Sequence, residues 1–258
     1  MSLYLYSERI SFLHKLHPVS KIIGLLLSFV AALAFSHPLY ILPLAILVII
    51  PGLRAGAGDG LHRVWPLMIA IGLASFLLWG VFFPGKTVVY SLAPFCITRE
   101  ALLYGAGMAI RLNLMLFCGL IFLASTRIED FTAGLSVMGI PFSLSFALSL
   151  SFRLVPIFSE TTQTIIQAQR CRGLETESKG LIKRMFAYLP LLVPVFASAL
   201  RRTDQLAVAL ESKGFGSKIK RTTYREYLFR GQDVIFLLAM IVISAGSVTI
   251  RILGMGAV

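Results

Sequence analysis

The chain has 258 residues, of which 57% are hydrophobic and only 14% charged, with a formal net charge of +12. Soluble domains are nearer a quarter charged, so a water-soluble enzyme or binding module is excluded and an integral membrane protein is expected. The basic excess does not point to nucleic acid. Residues 127–230 hold 15 Lys/Arg against 8 Asp/Glu without an aromatic-interleaved basic motif, and such a segment marks the cytoplasmic face.

The first 18 residues are polar and mixed, without the basic–apolar–small order of a cleaved signal, so the first apolar run is expected in the mature protein. His14 and His17 have no third ligand nearby, which fits interfacial histidines rather than a metal site. Cys96, Cys118 and Cys171 are too scattered for a metal cluster or a disulfide framework. Apolar runs at 22–35 and 39–53, split by Ser36-His37-Pro38, predict two spans close to the minimum length. They stand untilted, thin the bilayer locally, or are partly re-entrant.

Residues 54–63 read as a flexible basic loop, Trp65 as an interfacial aromatic, and 66–83 as a third span. Residues 84–100 read as an outer loop. Gly80 to Thr87 matches the phosphate-loop pattern G-x-x-x-x-G-K-T, but an apolar membrane helix precedes it where the mechanism needs a strand, so nucleotide binding is not expected.

A fourth span at 101–125 carries Gly105, Gly107 and Ala109, which allow close helix approach, and places Arg111 and Asn113 inside an apolar run. A buried guanidinium faces protein or a wet cavity, so Arg111 is either a functional group or an anchor between helices. Gly139-Ile140-Pro141 ends a short helix. A long helical segment then runs to Arg172, with Arg153, Pro156 and Glu160 near its middle.

After a linker at 173–180 comes the clearest periodic helix. Ile182, Leu189, Val193, Phe196, Leu200 and Leu210 form its apolar side, and Lys183, Arg201, Arg202, Asp204 and Glu211 its charged side. Pro190 and Pro194 are expected to kink or split it into two pieces. A basic stretch follows, and 234–253 is the last span. With the N-terminus inside and five spans the C-terminus falls outside; Arg251 near that end speaks mildly against it.

Both long helices close on one signature, Gln169-Arg170-Cys171-Arg172-Gly173 and Glu211-Ser212-Lys213-Gly214. A glycine just past a helix and a cation in its last turn suit an ordinary helix ending. The recurrence of the ending in a basic segment also suits a pair of contact tips.

These motifs, with the head Leu16-His17-Pro18-Val19-Ser20-Lys21 and the run 201–215, resemble the transmembrane T component of energy-coupling factor transporters, the EcfT/CbiQ-like family. The resemblance covers nearly the whole chain. It implies an all-α integral membrane protein of about five transmembrane helices plus a cytoplasmic coupling domain of long amphipathic helices. In that scheme 1–125 are N-terminal transmembrane helices, 126–230 the coupling helices, and 231–258 a C-terminal transmembrane helix.

The family pattern is Ala-Arg-Gly, twice. Cys171 departs from it in the first copy, and Ser212 and Lys213 depart in the second; lysine keeps the charge without the planar fork. By the resemblance, Cys171, Arg172, Gly173, Ser212, Lys213 and Gly214 contact two ABC-type ATPase subunits, supported by Arg153, Pro156, Gln169, Arg170 and Glu211. A small integral membrane substrate-binding (S) subunit captures a vitamin or a metal ion. The chain itself has no cofactor, metal or catalytic residue in this reading. It sits in a bacterial or archaeal inner membrane as a multi-pass, non-enzymatic subunit. The rival reading is a stand-alone secondary transporter or channel, which calls for inverted repeats and charged midplane helices; a membrane enzyme lacks the required carboxylates or histidine clusters.

Overall fold

The computed structural model describes residues 11–54, 56–83, 87–92, 95–174, 181–217 and 227–253. A 3-10 turn at Phe12–Lys15 precedes α1 (Pro18–Ala34), α2 (Pro38–Arg54), α3 (Ala57–Phe82), β1 (Val88–Leu92), β2 (Phe95–Thr98), α4 (Arg99–Ser125) and α5 (Ile128–Val137). Then follow α6 (Phe142–Cys171), α7 (Leu181–Ser212) and α8 (Gly231–Ile252). They form two compact units, Met1–Pro141 with Tyr227–Val258, and Phe142–Glu226.

In the first unit α4 is the central pillar. Leu114 and Cys118 pack with Ala31, Ala32 and Phe35 of the α1 region and with Ile41, Leu44 and Ala45 of α2. One turn on, Phe117, Leu120 and Ala124 of the same helix meet Leu61, Val64 and Met68 of α3. Glycine sets how near the neighbours come. A Cβ on Gly105 would stand 3.0 Å from the Phe76 carbonyl of α3, and one on Gly107 would collide with the Ser36 carbonyl of the α1–α2 turn.

That contact also fixes depth. The α1–α2 turn meets α4 at Gly107, two turns in from its start at Arg99. Each helix of the pair has 17 residues, about 25 Å, against the roughly 30 Å of a bilayer core. Among the described residues four helical stretches are long and apolar enough to cross a membrane: Gly60–Phe82, Arg99–Ser125, Phe142–Cys171 and Gly231–Ile252.

Several expectations are corrected. Residues 54–63 are not a flexible loop, because α3 already starts at Ala57 after a single left-handed Gly56 (φ 86°). Packing of Leu61 and Val64 against α4 outweighs the glycine-rich composition. The outer loop contains an antiparallel hairpin, with Leu92 opposite Phe95 and Val88 opposite Thr98. Thr87 ties it to α4, donating through N and Oγ1 to the Glu100 carboxylate at 3.2 and 2.8 Å. Pro190 and Pro194 do not split α7, which runs unbroken from Leu181 to Ser212. The two rings stand one turn apart on one side, so the hydrogen-bond rows elsewhere on the helix carry it through. At the phosphate-loop look-alike a helix precedes and a strand follows, the reverse of the order a phosphate cradle needs. Lys86 lies outside the described residues.

The glycine contacts yield a stability test. Gly107→Ala forces a methyl into the Ser36 carbonyl and is expected to cost about 1–3 kcal/mol or more. A Cβ on Gly119 would have no described atom within 4 Å, so Gly119→Ala is expected to leave the thermal unfolding midpoint in detergent unchanged or raised. Equal midpoints for the two variants would refute the close approach at Gly107.

Candidate functional site

The ends of α6 and α7 share one backbone design. At the first, the Gly173 and Leu174 N–H groups donate to the carbonyls of Arg170 and Gln169, both at 3.0 Å, with Gly173 at φ 89°. At the second, Gly214 and Phe215 donate to Glu211 and Leu210 at 2.8 and 2.9 Å, with Gly214 at φ 75°. Each is a Schellman ending, in which a left-handed residue folds the chain back over its last carbonyls.

The end of α5 gives an internal comparison. Gly139 (φ 100°) closes it the same way, its N–H and that of Ile140 donating to Ser136 and Leu135 at 3.2 Å. There Met138 precedes the glycine, where the two long helices carry Arg172 and Lys213. The fold back is thus a general way this chain ends helices; the cation is what sets two of the three apart.

Cys171, Arg172, Ser212 and Lys213 are all exposed, and the apolar residue after each glycine, Leu174 or Phe215, is half-buried. Phe215 packs on Phe146 near the start of α6, ring centroids 4.7 Å apart. The second tip therefore stands beside the first turns of α6, and the first tip lies at its far end, 26 residues or about 40 Å of helix away. Of the supporting residues, Arg153, Arg170 and Glu211 are exposed, and Pro156 and Gln169 half-buried. The structure does not gather Arg153 and Pro156 with either tip; they lie near the middle of α6.

Between the tips the helices present apolar rows. On α7, Leu189, Val193, Phe196 and Leu200 follow at three- and four-residue steps and stay exposed, Val193 at 75% and Phe196 at 68%. Leu144, Leu148, Phe152 and Val155 do the same on α6. The one described α7 side chain that is fully inward is Leu191, which the periodic pattern did not single out.

Arg111 and Asn113 belong to the bundle. Arg111 Nη2 donates to the Phe35 carbonyl and, at 3.3 Å, to Ser36 Oγ, beyond the last turn of α1. Arg251 of α8 joins it, Nη1 donating to the Leu33 and Ala34 carbonyls at 3.0 and 2.9 Å. Two guanidiniums thus cap one helix end. Asn113 Nδ2 donates to the Ala109 carbonyl of its own helix at 3.0 Å.

Sequence reasoning missed a buried polar cluster at the opposite end of α1. Asp233 accepts the His17 N–H at 2.6 Å and the Arg230 N–H at 2.8 Å. Lys21 Nζ donates to the Ser125 carbonyl at 2.7 Å and the His14 carbonyl at 3.2 Å. His14 Nε2 donates to the Ala124 carbonyl at 3.2 Å, leaving Nδ1 to accept from Ser11 Oγ at 2.8 Å. Tyr227 donates to Asp130 at 2.7 Å. The motif His17-Pro18 with Lys21 was a sequence signal, but its partners Ser125 and Asp233 are 104 and 216 positions away.

The family model described as cobalt transport protein, CbiQ, matches residues 10–224. The chain belongs to this family. It is 30% identical over 241 residues to an energy-coupling factor transporter transmembrane protein of Streptococcus thermophilus, covering 90% of this chain and 91% of that one. The counterpart of Listeria innocua is 31% identical over 256 residues, covering 91% and 92%. A putative ABC transporter ATP-binding protein of Bifidobacterium longum is 28% identical over 250 residues, which are 93% of this chain but 32% of that protein. With these relatives and its apolar helices, the chain is a multi-pass cell-membrane component of an energy-coupling factor transporter.

Because both tips rest on left-handed glycines, Gly173→Ala and Gly214→Ala are each expected to destabilise the local fold by about 1–2 kcal/mol. No described atom crowds a Cβ at Gly173, so the loss there is conformational. Hydrogen exchange of the Leu174 and Phe215 amides should speed up by about tenfold or more, with bundle amides unchanged. Unchanged exchange at both amides would refute the ending.

Proposed function

We propose that this family member is the coupling subunit of the transporter. α6 and α7 carry the ATP-driven motion of two cytoplasmic ABC-type ATPases to a small substrate-capturing membrane subunit, for uptake of a vitamin or a metal ion. The observation that carries this reading is the pair of exposed cations, Arg172 and Lys213, each set before a left-handed glycine at the end of a long helix. A rigid helix with a charged tip transmits displacement, which a loop absorbs. Gly173 and Gly214 end the helices bluntly enough to enter a socket, with Cys171 and Ser212 as the small neighbours. Arg172 offers a fork to a carboxylate, and Lys213 a single point charge.

The membrane logic supports a cytoplasmic place for both helices. The chain leaves the bundle after α5 and returns at Tyr227, and the Tyr227–Asp130 hydrogen bond puts exit and return at the same end. α6 is apolar enough to cross, but α7 with Arg201, Arg202 and Asp204 is not. A lone crossing by α6 would return the chain on the wrong side. The exposed row Leu189, Val193, Phe196 and Leu200 then supplies the surface on which the capturing subunit rests and slides. The match to a region of an ATP-binding protein in Bifidobacterium longum favours an ATPase as partner. Hydrolysis belongs to that partner, so the chain works without catalytic residues of its own.

The test is a detergent pull-down of the tagged chain from its own host, followed by mass spectrometry and an ATPase assay. Wild type should bring down ABC ATPases and a small membrane protein. Arg172→Glu combined with Lys213→Glu should lose the ATPases and keep the membrane protein. If no ATPase accompanies the wild type, the tips are only helix ends and a stand-alone transporter takes the lead.

A further inference from the structure

A groove of about 730 Å³ runs between α1, α2, α4 and α8, and its polarity is graded. At one end stand Lys21, Arg54 and Ser125, at the start of α1, the end of α2 and the end of α4. This is the end that the basic residues mark as cytoplasmic. Beyond it the walls are apolar, with Leu25, Val48, Cys118, Phe236, Met240 and Ile243. Ser28, deeper in, spends its hydroxyl on the Gly24 carbonyl of its own helix at 2.7 Å. From Lys21 to Ser28 the groove follows α1 for two turns, about 10 Å. Leu47 and Ile50 on its lining are half exposed, so it opens sideways from the bundle.

Charge identifies the occupant. Lys21 is 7% exposed, and two of its three donors meet the Ser125 and His14 carbonyls. Arg54 is exposed at the mouth. Within the bundle Asp130 and Asp233 act on the Lys21 charge, so Arg54 is the cation that a ligand at the mouth meets first. An exposed guanidinium at headgroup depth, above an apolar channel open to the bilayer, complements a molecule with an anionic head and a hydrocarbon tail. We propose that this groove binds an anionic phospholipid of the cytoplasmic leaflet, its phosphate at Arg54, one acyl chain lying against Leu25, Val48 and Met240. The lipid bridges four helices at the end where the chain enters and leaves the bundle. This assignment does not depend on the coupling role.

The test uses the full chain, purified in mild detergent, stripped of lipid and titrated with phosphatidylglycerol, phosphatidylcholine or inorganic phosphate. Native mass spectrometry reads bound lipid and thermal unfolding reads stabilisation. Phosphatidylglycerol is expected to bind and raise the midpoint, with phosphatidylcholine about fivefold weaker. Arg54→Gln should remove about fivefold of that preference, and Val48→Phe, which fills the channel and leaves both charges, should lose both lipids. Equal binding of the two lipids, or an unchanged preference in Arg54→Gln, would overturn the proposal. Full stabilisation by inorganic phosphate would instead make this a free-anion site and overturn it as well. If Val48→Phe does not fold, Arg54→Gln, on an exposed side chain, decides alone.

Discussion

A helix end in a membrane bundle exposes peptide groups that water cannot reach, and α1, with its 17 residues, is too short to lift both of its ends to the interfaces. The first N–H groups and last carbonyls of neighbouring helices face the same difficulty. Here each buried charge is set against a helix end of opposite sign. Asp233 accepts N–H groups at the starts of α1 and α8. Lys21 and His14 donate to the closing carbonyls of α4, and Arg111 and Arg251 donate to those of α1. The macrodipole makes such placements favourable, and a charge of the wrong sign at any of them would be repelled. The cost of burying an ion is met by the same hydrogen bonds that satisfy the backbone.

This arrangement fixes the bundle by its ends. α1 and α8 run parallel, since Asp233 joins their N-termini and Arg251 reaches from one C-terminus to the other. α4 runs the opposite way, its C-terminus at Lys21 and its middle at the last turn of α1. With orientation set by charge, the walls can be built from small residues. Ala31 and Ala32 on α1 and Gly105 and Gly107 on α4 bring backbones together where lipid-like side chains offer no hydrophobic drive. The bundle is thereby a stiff frame, which the proposed coupling role needs.

How much of this was legible depends on the range of the interaction that decides it. Helix endings are local, so Gly139, Gly173 and Gly214 were readable as stops from their own neighbourhoods. The apolar row on α7 was readable from its period; its exposure was not, because that depends on what the rest of the chain packs against it. The hairpin at 88–98 carried β-branched and aromatic residues on both sides of a proline, a signal that an outer-loop reading passes over. Residues 57–63 were misleading because glycine content reports intrinsic preference, and the packing of Leu61 on α4 is not intrinsic. Asp233 looked like an ordinary first-turn acid, and its bond to His17 spans 216 positions. No local pattern encodes that.

The role of the tips rests on a comparison that the chain supplies itself. Three helices end on the same left-handed glycine geometry, so that geometry cannot be what distinguishes a contact site. Met138 at the end of α5 shows the residue such a position takes when only a helix must stop. Among the described residues no contact uses the charge that Arg172 and Lys213 add there, on exposed turns, at the ends of two helices whose apolar rows are also exposed. Surplus charge at the tips and surplus apolar surface along the shafts are two kinds of unmet demand on one unit. In the proposed reading a polar partner answers the first and a membrane partner the second. A subunit that joins two such partners has a physical reason to leave both kinds of surface unsatisfied on its own.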